Sequence, residues 1–152
     1  MTIYSVDKLM EETRKVAANY HQLTGEVLPV ASELAKHDAI NLFKFSKPDT
    51  VESGVDLIGA GHWDGKKVQV KSRVIFDSVK SRQMVGQINQ AGLWDEILLV
   101  LFDADYFPGE ILMLSRDKII EELGSATKAK RGSMSVAKFK SISKSIWIRP
   151  AS

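Results

Sequence analysis

The stretch GVDLIGAGHWDGKKVQVKSR, residues 54–73, decides the fold that the sequence predicts. Apolar residues lie on both sides of Asp64-Gly65, a dipeptide that is typical of a tight turn between two antiparallel strands. Successive side chains of a strand point to opposite faces of a sheet, so the second strand has an apolar face and a polar face. The polar face carries Gln69, Lys71 and Arg73.

Asp56 lies on the first strand, and it is as far from the centre of the turn, between His62 and Trp63, as Gln69 is. In an antiparallel pair this register places Asp56 opposite Gln69, or close to Lys71 on the diagonal. Carboxylate and carbonyl oxygens suit Mg²⁺, and a bound metal ion polarises a phosphate ester. A neighbouring lysine can orient the attacking water or stabilise charge in the transition state. A surface hairpin with a solvated polar face explains the same pattern without any chemistry.

The order Gly-Val-Asp-Leu-Ile, a short turn and Val-Gln-Val-Lys-Ser-Arg resembles the PD-(D/E)XK phosphodiesterase superfamily over roughly residues 25–103. That superfamily has the restriction-endonuclease-like fold and includes Holliday-junction resolvases. Its pattern is an aspartate on one strand and Glu/Asp-x-Lys on the next, often after a helix that carries a glutamate. The resemblance implies that Asp56 binds a metal ion and that Lys71 is the catalytic lysine. Gln69 occupies the second acidic position, a Gln-x-Lys variant that offers one neutral carbonyl oxygen.

The chain before the hairpin is predicted to form two helices. Ser5 can cap the first, which ends near Leu23, and a second runs from about Glu26 to Asn41. The resemblance makes Glu26 the helix-borne metal ligand with Glu33 as the second choice, and two solvent-exposed glutamates are the alternative. The apolar stripe predicted for the first helix consists of Val6, Leu9, Met10, Val16, Ala17 and Tyr20.

The remaining elements follow from hydrophobic periodicity and turn residues. In chain order they are a strand over Leu42–Phe45, a helix over Ser78–Ala91, a buried central strand over Ile97–Phe102, a type II turn at Pro108-Gly109, a strand over Glu110–Leu114, a helix from Ser115 to about Leu123, and a last strand or docking segment over Ile146–Ile148. Residues 133–145 are compatible with strand or helix. This order predicts a single α/β domain over residues 1–152, with a central mixed sheet flanked by helices. The resemblance makes it restriction-endonuclease-like, with a core at about 25–123.

Charge is distributed unevenly along the chain. Residues 1–124 contain 14 Lys/Arg and 19 Asp/Glu, a balance of −5, whereas residues 125–152 contain seven Lys/Arg and no acid, a balance of +7. Such asymmetry is typical of a surface that contacts a polyanion, and a solvated basic tail is the alternative. The candidate phosphate contacts are Arg73 and, in a predicted loop, Lys128, Lys130 and Arg131.

Composition excludes several classes of site. The chain has no cysteine, which excludes disulfides and thiolate zinc sites. No apolar run approaches the ~20 residues that a membrane-spanning helix needs, and the first residues do not have the pattern of a secretory signal. We therefore expect a cytoplasmic protein with no membrane partner.

Two functions from different classes are consistent with these features. The first is a nuclease that requires Mg²⁺ or Mn²⁺ and acts on nucleic acid, most simply as a DNA endonuclease, with Asp56, Gln69 and Glu26 around the metal and Lys71 at the attacking water. The second is a catalytically inactive module of the same fold that binds nucleic acid or a protein. The neutral Gln69 favours the second function. The resemblance also implies that two copies can pair, because relatives of this fold often dimerise to cut both strands.

Overall fold

The central strand of the sheet is β4, Glu96–Phe102, in which every residue after Glu96 is buried. A computed structural model describes residues 5–76, 83–130 and 133–151, and in it β4 has a neighbouring strand on each side. A strand that is covered on both faces reads as a continuous apolar run. The predicted buried strand at Ile97–Phe102 is therefore confirmed.

The other elements surround β4 in the sequence. The strands are β1 Leu57–Ile58, β2 Lys67–Val74, β3 Met84–Gln87, β5 Pro108–Ser115, β6 Ser133–Ser135 and β7 Lys144–Ile148. The helices are α1 Val6–Thr24, α2 Ala31–Phe43, α3 Arg116–Lys130 and α4 Val136–Ile142.

The described residues form a single α/β domain with a mixed five-stranded sheet in the order β1-β2-β4-β5-β7. Strand β2 pairs with β4 in parallel, and the other neighbours are antiparallel. Strands β3 and β6 form a separate antiparallel pair.

The sheet is covered on both faces by different elements. On the first face, α1 and α2 pack over Val68 and Val70 of β2 and over Leu98 of β4. On the second face, the β3–β6 pair, α3 and α4 pack over Ile97 and Leu99 of β4. Alternate residues of a strand point to opposite faces. The side chains of Gln69, Lys71 and Arg73 alternate with those of Val68 and Val70, so they point away from the first face. These polar side chains therefore belong to the second face.

Helix α1 begins as predicted, but its packed face differs from the prediction. The Ser5 hydroxyl accepts a hydrogen bond from the Lys8 amide at 3.1 Å, and Gly25 ends the helix with φ +77°. The residues of α1 that are buried against the sheet are Arg14, Ala17 and Ala18. Most of the larger apolar residues of the predicted stripe are exposed, because they lie on a different side of the helix from Ala17 and Ala18, the small residues that approach the sheet.

Helix α2 begins and ends later than predicted. It starts at Ala31, so Glu26 lies in the segment before it, and it continues to Phe43 where a strand was expected. Lys44 then takes a left-handed conformation with φ +63°, and a single bridge between Ser46 and Ile58 replaces the predicted strand. The Phe45 ring, which would have been a strand residue, is instead buried in the core between the helix and the hairpin.

The helix predicted over Ser78–Ala91 is wrong where the structure describes it. Residues 84–87 form strand β3, which pairs with β6, while residues 77–82 lie outside the described part of the chain. Val85 and Ile88 are both buried, and their spacing of three also fits a helix. Pairing with a strand that is distant in the sequence decides between the two conformations.

The turn predicted at Pro108-Gly109 is also wrong, because both residues belong to β5. The chain reverses earlier, where the Asp103 carboxylate accepts hydrogen bonds from the amides of Asp105 and Phe107 at 2.9 and 3.0 Å. An aspartate that binds amides further along the chain replaces part of the backbone bonding of a turn. The strands over Glu110–Leu114 and Ile146–Ile148 are confirmed as parts of β5 and β7.

The C-terminal quarter is more regular than predicted. Helix α3 passes Gly124 and reaches Lys130, so Lys128 and Lys130 lie in a helix and not in a loop. The positions of these two side chains, and Arg131 as a whole, lie outside the described part. Residues 133–145 contain both a strand and a helix, β6 and α4, which resolves the alternative. In the described ranges, no helix is long and apolar enough to cross a membrane.

Candidate functional site

The β1–β2 hairpin has the predicted register. Leu57 pairs with Val68 and Ile58 pairs with Lys67, as predicted. Asp56 comes directly before β1, and it bonds to β2 at Val68 and Val70, so its predicted pairing with Gln69 stays a prediction. The burial of β2 alternates along its whole length, as the sequence pattern predicts. The connection is longer than a two-residue turn, because a short 3₁₀ helix over Gly61–Trp63 precedes Asp64-Gly65.

The Asp56 carboxylate is oriented by the strand opposite. Its Oδ2 accepts a hydrogen bond from the Val70 amide at 2.8 Å, and the Asp56 amide donates to the Val68 carbonyl at 2.9 Å. A carboxylate has about four acceptor positions on its two oxygens. The bond to Val70 therefore holds the group in place and leaves the carboxylate able to bind a cation through Oδ1.

Gln69 has a buried oxygen without a hydrogen-bond donor. Its Nε2 donates to the Gly54 carbonyl at 3.3 Å, whereas its Oε1 is buried and has no partner among the described residues. Only the NH₂ group of the amide can donate, so the bond to Gly54 determines which end is the oxygen. A buried acceptor without a partner costs about 1–3 kcal/mol of stability. A divalent cation beside Asp56 would satisfy this oxygen.

Gly54 is required by the close approach of its neighbours. Its φ is +78°, and a Cβ atom there would lie 3.1 Å from Trp94 Cδ1, 3.2 Å from Gly92 Cα and 3.3 Å from Gln69 Nε2. Gly65 has the same φ of +78° but open space around the Cβ position. The two glycines therefore separate the cost of the left-handed conformation from the cost of steric contact.

We expect Gly54→Ala to lower the free energy of unfolding by more than Gly65→Ala does. The left-handed conformation alone costs an alanine about 1–2 kcal/mol, and only at Gly54 must a tryptophan, a backbone segment and the Gln69 amide also move. Urea denaturation of both variants measures the difference. Equal losses would mean that the packing around Gly54 yields without cost.

Lys71 is held against the neighbouring strand β3. Its Nζ donates a hydrogen bond to the Gln87 carbonyl at 2.8 Å. Burial lowers the pKa of the Lys71 ammonium, the charge of Arg73 lowers it further, and the Asp56 carboxylate opposes both effects. The Lys71 ammonium is thus half-buried and close enough to Asp56 for the carboxylate to affect its pKa. The resemblance implies the same pair, an aspartate followed by a lysine on the next strand.

Arg73 anchors β3 to the main sheet. Its Nε donates to the Met84 carbonyl at 2.5 Å and its Nη1 donates to the Ser72 carbonyl at 2.6 Å. Gly86, with φ +100°, passes so close that a Cβ atom would lie 2.7 Å from the Arg73 Nη2. Burial lowers the pKa of the Arg73 guanidinium. These bonds assign Arg73 a structural position, and its contact with nucleic acid stays a prediction.

The glutamates proposed for the metal shell lie apart from this group. Glu26 is exposed in the segment before α2, and Glu33 pairs with Lys36 at 2.9 Å on α2 itself. Helix α2 covers the first face, whereas Gln69 and Lys71 point to the second. Within residues 5–76, 83–130 and 133–151, no three His, Asp or Glu side chains are grouped so that they could hold a metal ion. The role of Glu26 therefore stays a prediction without a supporting contact.

Compared with known proteins, the sequence matches no family model and no curated protein. The resemblance to the PD-(D/E)XK superfamily therefore depends on the hairpin. Asp56, Gln69 and Lys71 are in the order of the family motif. Gln69 and Lys71 share one face of β2, and Asp56, directly before β1, contacts β2 through its carboxylate. This arrangement combines a carboxylate, a carbonyl oxygen without a donor and an ammonium within one small region.

Sequence reasoning missed a buried ion pair on the first face of the sheet. Arg14 of α1 and Asp38 of α2 are both buried, and the Arg14 Nη2 donates to the Asp38 Oδ1. The Arg14 Nη1 donates to the Tyr106 carbonyl at 2.5 Å, and its guanidinium lies over the Phe107 ring at 5.1 Å from the ring centre. The sequence contains one signal for this ion pair. Arg14 lies three residues before Ala17 and so on the same side of the helix as the small residues Ala17 and Ala18, which are buried.

Proposed function

We propose that the protein is a nuclease that requires Mg²⁺ or Mn²⁺ and hydrolyses phosphodiester bonds of DNA, with Asp56, Gln69 and Lys71 at its centre. The buried Gln69 Oε1, which has no donor among the described residues and lies one position from the amide that binds the Asp56 carboxylate, supports this proposal most. Mg²⁺ prefers hard oxygen ligands and is commonly held by one or two carboxylates together with water and substrate phosphate. Two protein ligands are thus enough for a site that is completed by its substrate.

Each residue has a separate task in this proposal. Asp56, oriented by the Val70 amide, supplies the negative charge that binds the cation, and Gln69 supplies its Oε1. When bound, the cation would polarise the phosphodiester and lower the pKa of a water molecule. Lys71, fixed by the Gln87 carbonyl, would orient that water and stabilise the negative charge that develops on the phosphate.

DNA is the proposed substrate because of the charge distribution. The excess of seven basic residues over residues 125–152 provides attraction to a phosphate backbone that does not depend on base sequence. Lys128, Lys130 and Arg131 are the proposed contacts in this segment.

A non-catalytic nucleic-acid-binding or protein-binding module is the second candidate. It is favoured by the neutral Gln69 and by the separation of Glu26 and Glu33 from the hairpin across the sheet. In such a module, Lys71 and Arg73 would serve mainly to hold β3 in place. The two candidates differ in whether the hairpin binds a divalent cation.

Calorimetric titration with Mn²⁺ and Mg²⁺ tests the metal site directly. We expect Gln69→Glu to bind Mn²⁺ at least about tenfold more tightly than the unsubstituted protein, because an additional anionic ligand raises affinity for a hard cation. We expect Gln69→Leu to bind it more weakly. Gln22→Glu, which adds the same charge on the exposed side of α1, is the matched control and should not change the affinity. If Gln69→Glu and Gln22→Glu bind Mn²⁺ with equal affinity, Gln69 is not a ligand of the metal ion.

A further inference from the structure

The connection between β3 and β4, residues 88–95, borders the candidate site at two places. Directly before it, the Gln87 carbonyl accepts a hydrogen bond from the Lys71 ammonium at 2.8 Å. Within it, the Leu93 amide donates to the Ser53 carbonyl at 2.8 Å. One segment of backbone therefore contacts both the proposed lysine and the residues that lead into the hairpin.

Arg116, the first residue of α3, holds this connection in place. Its Nη1 donates to the Gly92 carbonyl at 2.9 Å and to the Trp94 carbonyl at 2.6 Å, and its Nη2 donates to the Gln90 carbonyl. The guanidinium also lies over the Trp94 indole, 4.4 Å from the ring centre. A planar guanidinium presents several donors in a fixed fork and stacks on an aromatic ring at the same time, which an ammonium does not. The Arg116 side chain therefore fixes three carbonyls of the connection together.

Trp94 carries this restraint to Gly54. The indole is fully buried, and its Nε1 donates to the Asn89 carbonyl at 2.9 Å. Gly54 lies so close to Trp94 Cδ1 and to Gly92 Cα that a Cβ atom on Gly54 would press on both. The Gly54 carbonyl in turn accepts the hydrogen bond from the Gln69 amide. The position of Trp94 therefore limits where the Gly54 carbonyl can lie, and with it the Gln69 side chain.

We propose that Arg116 is a positioning residue for the metal site, with Gln69 Oε1 as the atom that it positions. It acts through Trp94 and Gly54, whose contacts decide where the Gln69 amide is held. This inference rests on the proposed metal-dependent function and adds a residue that lies outside the hairpin motif. Replacement of a group that orients a metal ligand typically lowers metal affinity by about 10–100-fold.

Charge and geometry predict opposite results when Arg116 is replaced. A neutral replacement removes a positive charge from the protein, and by charge alone a divalent cation would then bind more tightly. Loss of positioning makes binding weaker, because the Gln69 oxygen is no longer held towards the cation. Weaker binding by a neutral variant is therefore a result that the change of charge does not explain.

Calorimetric titration with Mn²⁺ tests this role without measuring activity. We expect Arg116→Met to bind Mn²⁺ about tenfold more weakly than the unsubstituted protein. Arg116→Lys keeps the charge but not the planar fork, so it should also bind Mn²⁺ more weakly, and it replaces Arg116→Met in the test if that variant does not fold.

Arg149→Met is the matched control. Arg149 also donates to backbone carbonyls, those of Phe107 and Pro108, at 3.0 Å each. It directly follows β7, which is separated from β2 in the sheet by β4 and β5. We expect Arg149→Met to bind Mn²⁺ as the unsubstituted protein does.

A double-mutant cycle tests whether Arg116 acts through Gln69. Gln69→Leu removes the oxygen that is positioned, so a change at Arg116 should cause no further loss of Mn²⁺ affinity in that background. Two changes that act through one group are not additive, whereas independent changes are. If the Arg116 variants lose the same factor of affinity with Gln69 and with Leu at this position, the path through Gln69 is wrong and the proposal is overturned.

Failure of this proposal differs from failure of the metal site. If the unsubstituted protein does not bind Mn²⁺, both are wrong. If it binds Mn²⁺ and Gln69→Leu weakens the binding, but both Arg116 variants bind as tightly as the unsubstituted protein, the metal site is supported and only the role of Arg116 is wrong. Weaker binding by both Arg116 variants that disappears in the Gln69→Leu background supports the two together.

Discussion

Replacement of Asp56 by Asn, or of Lys71 by Met, is expected to reduce metal-dependent DNA cleavage by at least about 100-fold while the protein stays folded. Asn preserves the oxygen that accepts the Val70 amide, so the change removes the negative charge and little else. Met preserves the apolar stem of Lys71 and removes the ammonium that would face the attacking water. Cleavage of supercoiled plasmid and of a labelled duplex, with Mg²⁺ or Mn²⁺ and with EDTA as the blank, measures the effect.

The matched control for the lysine is Lys67→Met, on the same strand and the same side as Lys71. Lys67 pairs with Glu52 at 2.9 Å and lies four residues from Lys71 at the start of β2. We expect this variant to keep nearly all of its activity. Cleavage that survives Asp56→Asn or Lys71→Met would refute the assignment of the site. Cleavage that is lost together with the cooperative melting transition would instead show that the residue maintains the fold.

Arg14→Met should lower the free energy of unfolding by about 3–5 kcal/mol at pH 7, the cost of leaving one partner of a buried ion pair without the other. Asp38 Oδ2 is buried and has no partner in the described part of the chain even in the intact pair, and Arg14 is the donor for Asp38 Oδ1. The substitution also removes a donor from the Tyr106 carbonyl. Urea denaturation at pH 7 measures this loss, which we expect to be the largest effect of any single substitution outside the apolar core.

The loss should be smaller in acid. Burial raises the pKa of Asp38 above 3.8, while its hydrogen bond and charge interaction with Arg14 lower it. A raised folded-state pKa means that the folded protein holds this proton more tightly, so the contribution of Asp38 to stability falls as the pH rises through that pKa. Without Arg14 the pKa of Asp38 rises further, because the hydrogen bond and the charge that lower it are lost, so protonation of Asp38 relieves more of the added cost as the pH falls. The difference between the two proteins should therefore be smaller at pH 4 than at pH 7.

A second substitution separates the buried charge from packing. Arg14→Met combined with Asp38→Leu removes both charges, and replacement of a buried pair by apolar residues is often neutral. We expect this double variant to recover most of the stability lost in Arg14→Met and to lose the pH dependence of the difference. A double variant as unstable as Arg14→Met at both pH values would mean that the loss comes from packing of the arginine side chain.

The candidate site could be predicted in large part because it depends on local rules. The two-residue period of a strand places Gln69 and Lys71 on one face, and the count of residues about the turn gives the pairing of Leu57, next to Asp56, with Val68. The unpaired Oε1 of Gln69 could not be predicted, since it results from the approach of Gly54, to which the Gln69 amide donates. The carbonyl that holds Lys71 belongs to β3, which the sequence alone presented as a helix.

The two glutamates show where the sequence pattern is ambiguous. Glu26 and Glu33 are near the hairpin in sequence and could reach it if their helix ran along the second face. The structure places α2 on the first face and begins it at Ala31, because its small and apolar residues, including Leu34 and Ala35, pack with Val68 and Val70. A helix pattern identifies an apolar side but does not specify which face of a sheet will cover it.

The sequence by itself determined the elements whose signals are local: the capped start of α1, the buried strand β4, the alternation of β2 and the register of the hairpin. Tertiary structure alone decided between β3 and a helix, set the face that α2 covers and left Val6, Leu9 and Val16 of α1 exposed. The physical reason is that backbone periodicity and capping act within a few residues, whereas burial depends on which distant segments meet. An apolar residue gains the same free energy from any partner that excludes water, so its sequence neighbours do not specify that partner.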